Sequence, residues 1–255
     1  MNKIKGDLRG WYWPAKSLEK RDCYVHGKLV HEWTAQYDDG QLQFQVHYDD
    51  QGKREGEWKD WYDNGQMDSH CSYVQGKKEG ECKEWWKDGK PRLHCSYAQG
   101  RPKGEWKDWW RSGQLRLHCF YAQGGLEGEW KRWHENGQLE SHGFYVQDKK
   151  EGEWTEWYEN GQTLTHGFYV QDSLEGEWSK WFPKGGLWCS GYYLHGKEMN
   201  HKQYQSILRL QAWIKRLTPV LRLKRYLPTI HEIWYTPGCK GAWRVARSFK
   251  RKIAN

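Results

Sequence analysis

Between Gly56 and Val74, large side chains alternate with polar or small ones on either side of one Asn-Gly pair. A two-residue period sends alternate side chains to opposite faces of a β-strand. Asn-Gly is a preferred two-residue hairpin loop, because both of its positions take positive φ. The pattern therefore predicts a β-hairpin with Asn64-Gly65 at its tip. Asp63 then faces Gln66, Trp58 lies opposite Cys71, and Gly56 opposite Tyr73. One face carries Trp58, Tyr62, Met67, Cys71 and Tyr73 and reads as core. The other carries Glu57, Lys59, Trp61, His70 and Ser72.

The same phrase returns every 24 residues, opened by Gly56, Gly80, Gly104, Gly128, Gly152 and Gly176. A copy with one extra residue near Gln51 starts at His31, and Cys23–Val30 matches the second half of another. Seven near-complete units fill residues 31–199. In later units the residue opposite the Trp is again small: Cys119 for Trp106, Gly143 for Trp130, Gly167 for Trp154. A large ring against a small residue is what a packed face requires. A second turn, such as Val74–Gly80, leads from each hairpin to the next. The expected fold is mainly β: an elongated antiparallel meander or solenoid of 24-residue hairpin repeats, with a short α-helical C-terminal cap. Residues 1–22 form an N-terminal cap or partial repeat, 23–199 the array, and 200–255 a basic helical region. No unit buries its aromatic face alone, so stability must come from stacked neighbours.

Composition changes this picture in two ways. The mean hydropathy is −1.14, yet 42 of 255 residues are Trp, Tyr or Phe, so the core is built from rings and the chain is not of the disordered class. The net charge of +8 hides an asymmetry: residues 200–255 hold 13 Lys/Arg and one acidic residue, Glu232, while residues 1–199 hold 28 Lys/Arg and 32 Asp/Glu. The array is mildly acidic and the tail strongly basic, a charge pattern that often meets phosphates. No stretch approaches the roughly 18 apolar residues of a membrane-spanning helix, and the start lacks an apolar leader. The expectation is a cytoplasmic protein, peripheral to a membrane at most, not secreted, with reduced cysteines.

The Gly-Glu-Trp-x-x-Trp-Tyr-x-Asn-Gly-Gln phrase, with a Tyr near the end of each unit, resembles MORN repeats. It is similar to the variant found in bacterial antitoxin-like proteins and in large DNA viruses, over about residues 23–199. The resemblance implies a single-layer β-sheet and a role as scaffold, dimerising module or membrane-associating module. It also implies, as a third class, an antitoxin-like protein that neutralises a toxin.

Several chemistries can be weighed on spacing. His70-Cys71, His94-Cys95 and His118-Cys119 do not converge on a metal. Neighbours on a strand point to opposite faces, and equivalent residues lie two strands, about 9.6 Å, apart. The same distance argues against disulfides among Cys71, Cys95 and Cys119. Glu, Lys and His recur in unit after unit, as in Glu129, Lys131 and His142, which suits a solvated face better than a unique catalytic constellation. No catalytic residue, metal or cofactor is expected. The polar face offers a candidate partner surface in Trp61, Trp85, Trp109, Trp133, Trp157 and Trp181 with His70, His94, His118, His142 and His166. Two readings stay open there: rings that only stiffen the sheet, or a groove that receives a protein partner or a second copy of the chain.

In the tail, Ile207, Leu210, Ile214 and Leu217 predict a helix over His201–Leu217 with Asn200 as N-cap and a break at Pro219. A short second helix follows over Val220–Tyr226. The helix would cap the last edge. Arg216, Arg222, Lys224, Arg225, Lys240, Arg244, Arg247, Lys250, Arg251 and Lys252 would contact an anionic membrane surface or nucleic acid. The sequence thus reads as a non-enzymatic interaction scaffold. The alternatives are a peripheral membrane or nucleic-acid binder acting through residues 200–255, and the antitoxin-like neutraliser.

Overall fold

Gly65 and its equivalents decide where each strand reverses. In the computed structural model, which describes residues 17–25 and 28–221, the chain divides after Met199 into two units. The first is one antiparallel meander. Strands β1 (Ser17–Val25), β2 (Lys28–Gln36), β3 (Leu42–Tyr48), β4 (Gly56–Trp61) and β5 (Met67–Val74) pair in chain order. The β4–β5 hairpin then returns down to Gly176–Trp181 and Leu187–Leu194. Trp58 lies opposite Cys71 and Gly56 opposite Tyr73, the expected register.

The tip turn, however, is not the two-residue turn expected. At the Asn-Gly tip, Gly65 N–H donates to the Tyr62 carbonyl at 3.0 Å and Tyr62 N–H to the Gln66 carbonyl at 2.8 Å. Three residues thus form the loop, and only Gly65 takes positive φ, +79°. This is a type I turn closed by a left-handed glycine. The two-residue turn with positive φ at both positions is the second one, at Gln75 (51°) and Gly76 (80°). Glycine also opens each unit for its backbone rather than for lack of space. Gly152 has φ +77°, and nothing lies within 4 Å of the position a Cβ would take.

The three-residue loop shifts the register next to it. Asp60 pairs with Ser69 but Trp61 with Met67, leaving Asp68 as the extra residue of a bulge that recurs in the other units. Met67 therefore shares the polar face with Trp61, not the core face where strict alternation puts it. The extra residue joins the core-face edge: Arg116, at the position of Asp68, grips Asp108 with two bonds of 2.8 and 3.0 Å.

Units are tied together by side chains that reach one unit onward. Tyr37 Oη donates to the Trp61 carbonyl at 2.7 Å, Tyr62 Oη to that of Trp85 at 2.9 Å, and Tyr158 Oη to that of Trp181 at 2.9 Å. Trp110 Nε1 and His134 Nε2 do the same to Trp133 and Trp157. Burial raises the Tyr62 hydroxyl to about 12, so it stays a donor. The last unit has Phe182 at this position, and among the described residues no further hairpin offers a carbonyl. A second row runs from Asn64, Asn136 and Asn160 Nδ2 to the carbonyls of Lys87, Glu159 and Pro183. In a third, Glu55, Glu79, Glu127, Glu151 and Glu175 accept the backbone N–H of Gln75, Gln99, Gln147, Gln171 and His195. Each of those five donor turns holds its first residue at positive φ. The carboxylate offsets part of the roughly 1–3 kcal/mol such a non-glycine residue costs.

On the core face, rings alternate edge to face down the sheet. Tyr48, Trp58 and Tyr73 stand 5.8 and 5.6 Å apart, and Tyr145 meets Trp130 at 5.5 Å and Trp154 at 5.2 Å. The small residues accommodate the next unit's ring rather than that of their cross-strand partner. A Cβ built on Gly143 runs into Trp154, and one on Gly167 lies 2.7 Å from Trp178 Cδ1. This explains a second departure from expectation. Cys82 stands where the neighbouring units have Trp58 and Trp106, so the atoms that meet Cys71 are a sulfur instead of a ring. The structure joins Cys71 and Cys82 in a disulfide, with Cα atoms 4.3 Å apart. The expectation of reduced cysteines weighed pairs two strands apart. These two lie on adjacent strands.

In the second unit, helix α1 spans His201–Leu221. Asn200 Oδ1 accepts the N–H of Gln203 at 2.9 Å, and Gln203 Oε1 accepts that of Asn200 at 3.2 Å, a reciprocal cap. The helix continues through Pro219 instead of breaking before it. The proline sits in the last turn, where it forfeits a single backbone bond. The first two residues of the expected second helix complete α1, and the rest lies outside the described residues.

Two outcomes test this packing. Gly143→Ala should cost about 1–3 kcal/mol by overpacking, and Trp154→Leu in the same chain should recover part of it. Additive losses in denaturant unfolding would show that the ring does not cover Gly143. In oxidised protein, Cys82→Ala should lose about 2–4 kcal/mol with the disulfide. Cys82→Trp, which restores the ring of neighbouring units, should stay within a few degrees of the parent Tm; a loss equal to that of Cys82→Ala would reject the equivalence.

Candidate interaction face

The face opposite the aromatic column is assembled from cross-strand pairs. Lys83 faces His94, Lys107 faces His118 and Lys131 faces His142. Two residues before each lysine stands a glutamate on the same face, because side chains repeat every second position. It receives both. Glu81 is 2.8 Å from Lys83 and 2.6 Å from His94; Glu105 is 2.7 Å from Lys107 and 2.9 Å from His118; Glu129 is 2.7 Å from Lys131 and 3.1 Å from His142. Glu57 with Lys59 and His70 makes the same triplet. Glu153 keeps only His166, at 2.7 Å, since Thr155 replaces the lysine. The bond from lysine, then that from histidine, holds Glu81, Glu105 and Glu129 below the usual carboxylate range.

His70, His94, His118, His142 and His166 are thus engaged by carboxylates. Trp61, Trp85, Trp109, Trp133, Trp157 and Trp181 lie along the same face as half-buried rings beside the bulges. Trp61, Trp85, Trp133, Trp157 and Trp181 also supply the carbonyls that bind one unit to the next. The most exposed aromatic side chains of this face within the array are others. Phe144 and Phe168 are 44% and 48% exposed, and two residues further along each strand Val146 and Val170 are 46% and 38% exposed. They form an apolar strip across two neighbouring units, and His142 leans on Phe144 at 5.7 Å between ring centres. The signal was present in the sequence: this position reads Ser72 and Ser96, then Phe120, Phe144, Phe168 and Tyr192.

The buried free thiols of this array are quiet. Burial raises Cys95 to about 11 and Cys119 to about 12, far from the depressed values of nucleophilic cysteines. Of the basic residues expected to meet phosphates, Arg216 lies in α1. Arg222, Lys224, Arg225, Lys240, Arg244, Arg247, Lys250, Arg251 and Lys252 lie outside the described residues.

The profile of the "MORN repeat variant" family matches residues 32–50, 54–75, 78–99, 126–147 and 150–171. The chain belongs to the MORN repeat family. Its hairpin at Gly104–Ala122, between the matched stretches, has the same register and bulge as the rest. No curated protein matches the chain. MORN repeats are generally protein- or membrane-interaction modules, typically without catalysis. No helix among the described residues is long and apolar enough to cross a membrane.

The glutamates carry a pH signature. Their folded pKa lies below the unfolded value, so their stabilisation is complete above about pH 4.5 and is lost as pH falls through the folded value. Tm of this MORN protein should fall as pH drops below about 4.5. The Glu81→Gln, Glu105→Gln, Glu129→Gln triple variant should show a shallower fall; an unchanged slope would mean that these exposed triplets contribute nothing.

Proposed function

We propose that this MORN repeat protein is a non-enzymatic scaffold whose His/Glu/Lys face receives a protein partner. The apolar strip of Phe144, Val146, Phe168 and Val170 carries the reading. Large apolar side chains at this exposure, rimmed by charged pairs, have the anatomy of a protein interface. Glu129 and Glu151 stand opposite Phe144, Glu153 opposite Phe168 and Lys149 opposite Val146, so the rim carries both signs of charge and sets the partner's register. The half-buried Trp column lies beside the strip and stiffens the surface on which the partner sits.

The electrostatics favour this over catalysis. The same triplet returns in several consecutive units, its acids are held below their ordinary range, and the array's buried thiols are held above theirs. Neither direction activates a group for general acid–base or nucleophilic work near neutral pH.

The test compares full-length protein with Phe144→Ser/Phe168→Ser and with Lys77→Ser as a surface control. Sedimentation velocity reads self-association, and quantitative capture from the source cells reads other partners. The double serine variant should keep the parent Tm and lose at least about tenfold of the bound partner. Equal recovery by all three proteins, with all three monomeric, would reject the strip as the interface.

A further inference from the structure

At the front of the sheet the recurring triplet is replaced by a different donor set. Glu32 on β2 occupies the place of Glu57, but Thr34 stands where Lys59 would be and Gln45 where His70 would be. A histidine instead appears at the Ser72 position, as His47 on β3, directly opposite Glu32. Cys23 on β1 pairs with Val30, two residues from Glu32, so it is the diagonal neighbour of Glu32 on the same face. Three adjacent strands thereby bring a thiol, a carboxylate and an imidazole together, with their ligand atoms all within 4.8 Å of one another.

The histidine is oriented as a ligand. His47 is 8% exposed. Its Nδ1 donates to the Glu57 carbonyl at 2.7 Å, and since a carbonyl only accepts, Nδ1 carries the hydrogen. Nε2, the ring's other nitrogen, faces Glu32 Oε2 at 3.3 Å. An imidazole nitrogen and a carboxylate oxygen at this distance share a positive charge, either a proton or a metal ion. Zinc bonds to nitrogen and oxygen of about 2.0–2.1 Å, at the tetrahedral angle, place two ligand atoms about 3.3 Å apart. An imidazole whose far nitrogen is fixed by a backbone carbonyl is the usual outer support of such a ligand. Cys23 and Glu32 are half-buried, which leaves one side open for a water as fourth ligand.

From this geometry we infer that Cys23, Glu32 and His47 bind one divalent ion of the zinc class, through Sγ, a carboxylate oxygen and Nε2. The ion would fasten β1 to β2 and β3 at the start of the array. The expectation of no metal was argued for His70-Cys71 and its repeats, and it did not weigh this trio.

Full-length protein with the Cys71–Cys82 disulfide intact, stripped with a chelator and kept free of oxygen and of added thiols, is titrated with zinc and, separately, cobalt. The parent chain should take up one equivalent of zinc, show sulfur-to-cobalt charge-transfer absorption, and melt at a higher temperature with zinc. Cys23→Ser should lose the absorption and the thermal shift, and both it and Glu32→Gln should bind zinc roughly tenfold more weakly or worse. His94→Gln, from the recurring triplets, should bind as the parent does. No stoichiometric uptake by the parent, or uptake by Cys23→Ser equal to the parent's, overturns the site. Both variants change a side chain nearly isosterically at half-buried positions, and their metal-free melting curves show whether the fold is intact.

Discussion

Everything in this array rests on the hydrogen bond that one hairpin lends to the next. A 24-residue hairpin with one aromatic face buries too little to stand alone. The bond from Tyr62 to the Trp85 carbonyl, repeated by Tyr37, Trp110, His134 and Tyr158, docks five units at one fixed offset, while Trp86 holds the same position with its Nε1 buried and unbonded. That offset lets the carboxylate of Glu79 reach the turn at Gln99 and the ring of Trp154 cover Gly143. Hydroxyl, indole and imidazole all serve at the same position, because the role needs only a donor at the end of a rigid side chain. The last unit has Phe182 there, which marks the end of the docking series.

The two faces divide the work. One holds rings, thiols and the buried part of the bulge, where replacement must conserve volume or chemistry. Cys82 illustrates this: a lost ring is compensated by a covalent bond to the residue the ring would have covered. The other face holds paired charges in solvent, each pair worth little, so its sequence is free to drift. The drift is visible as Ser72 becomes Phe144 and Lys59 becomes Thr155 in later units. Function in a MORN array is expected where this permissive face departs from its own repeat, as it does at the phenylalanine strip and around His47.

Much of this was legible in the chain itself. Period-two alternation set strand identity, the 24-residue spacing set the meander, and the pairing of Trp58 with Cys71 set the register. The tertiary structure decided what lies between units. The tip at Asn64-Gly65 takes three residues instead of two, because the bulge at Asp68 absorbs one, and the two-residue turn falls at Gln75-Gly76, where a glutamate from the preceding unit supports a left-handed glutamine. The same bulge moves Met67 to the opposite face. Which ring covers Gly143, that Cys71 meets Cys82, and that Cys23, Glu32 and His47 converge all depend on the lateral offset of neighbouring strands. Alternation along one strand carries no information about that offset, whereas hydrogen bonds between strands fix it to a fraction of a residue.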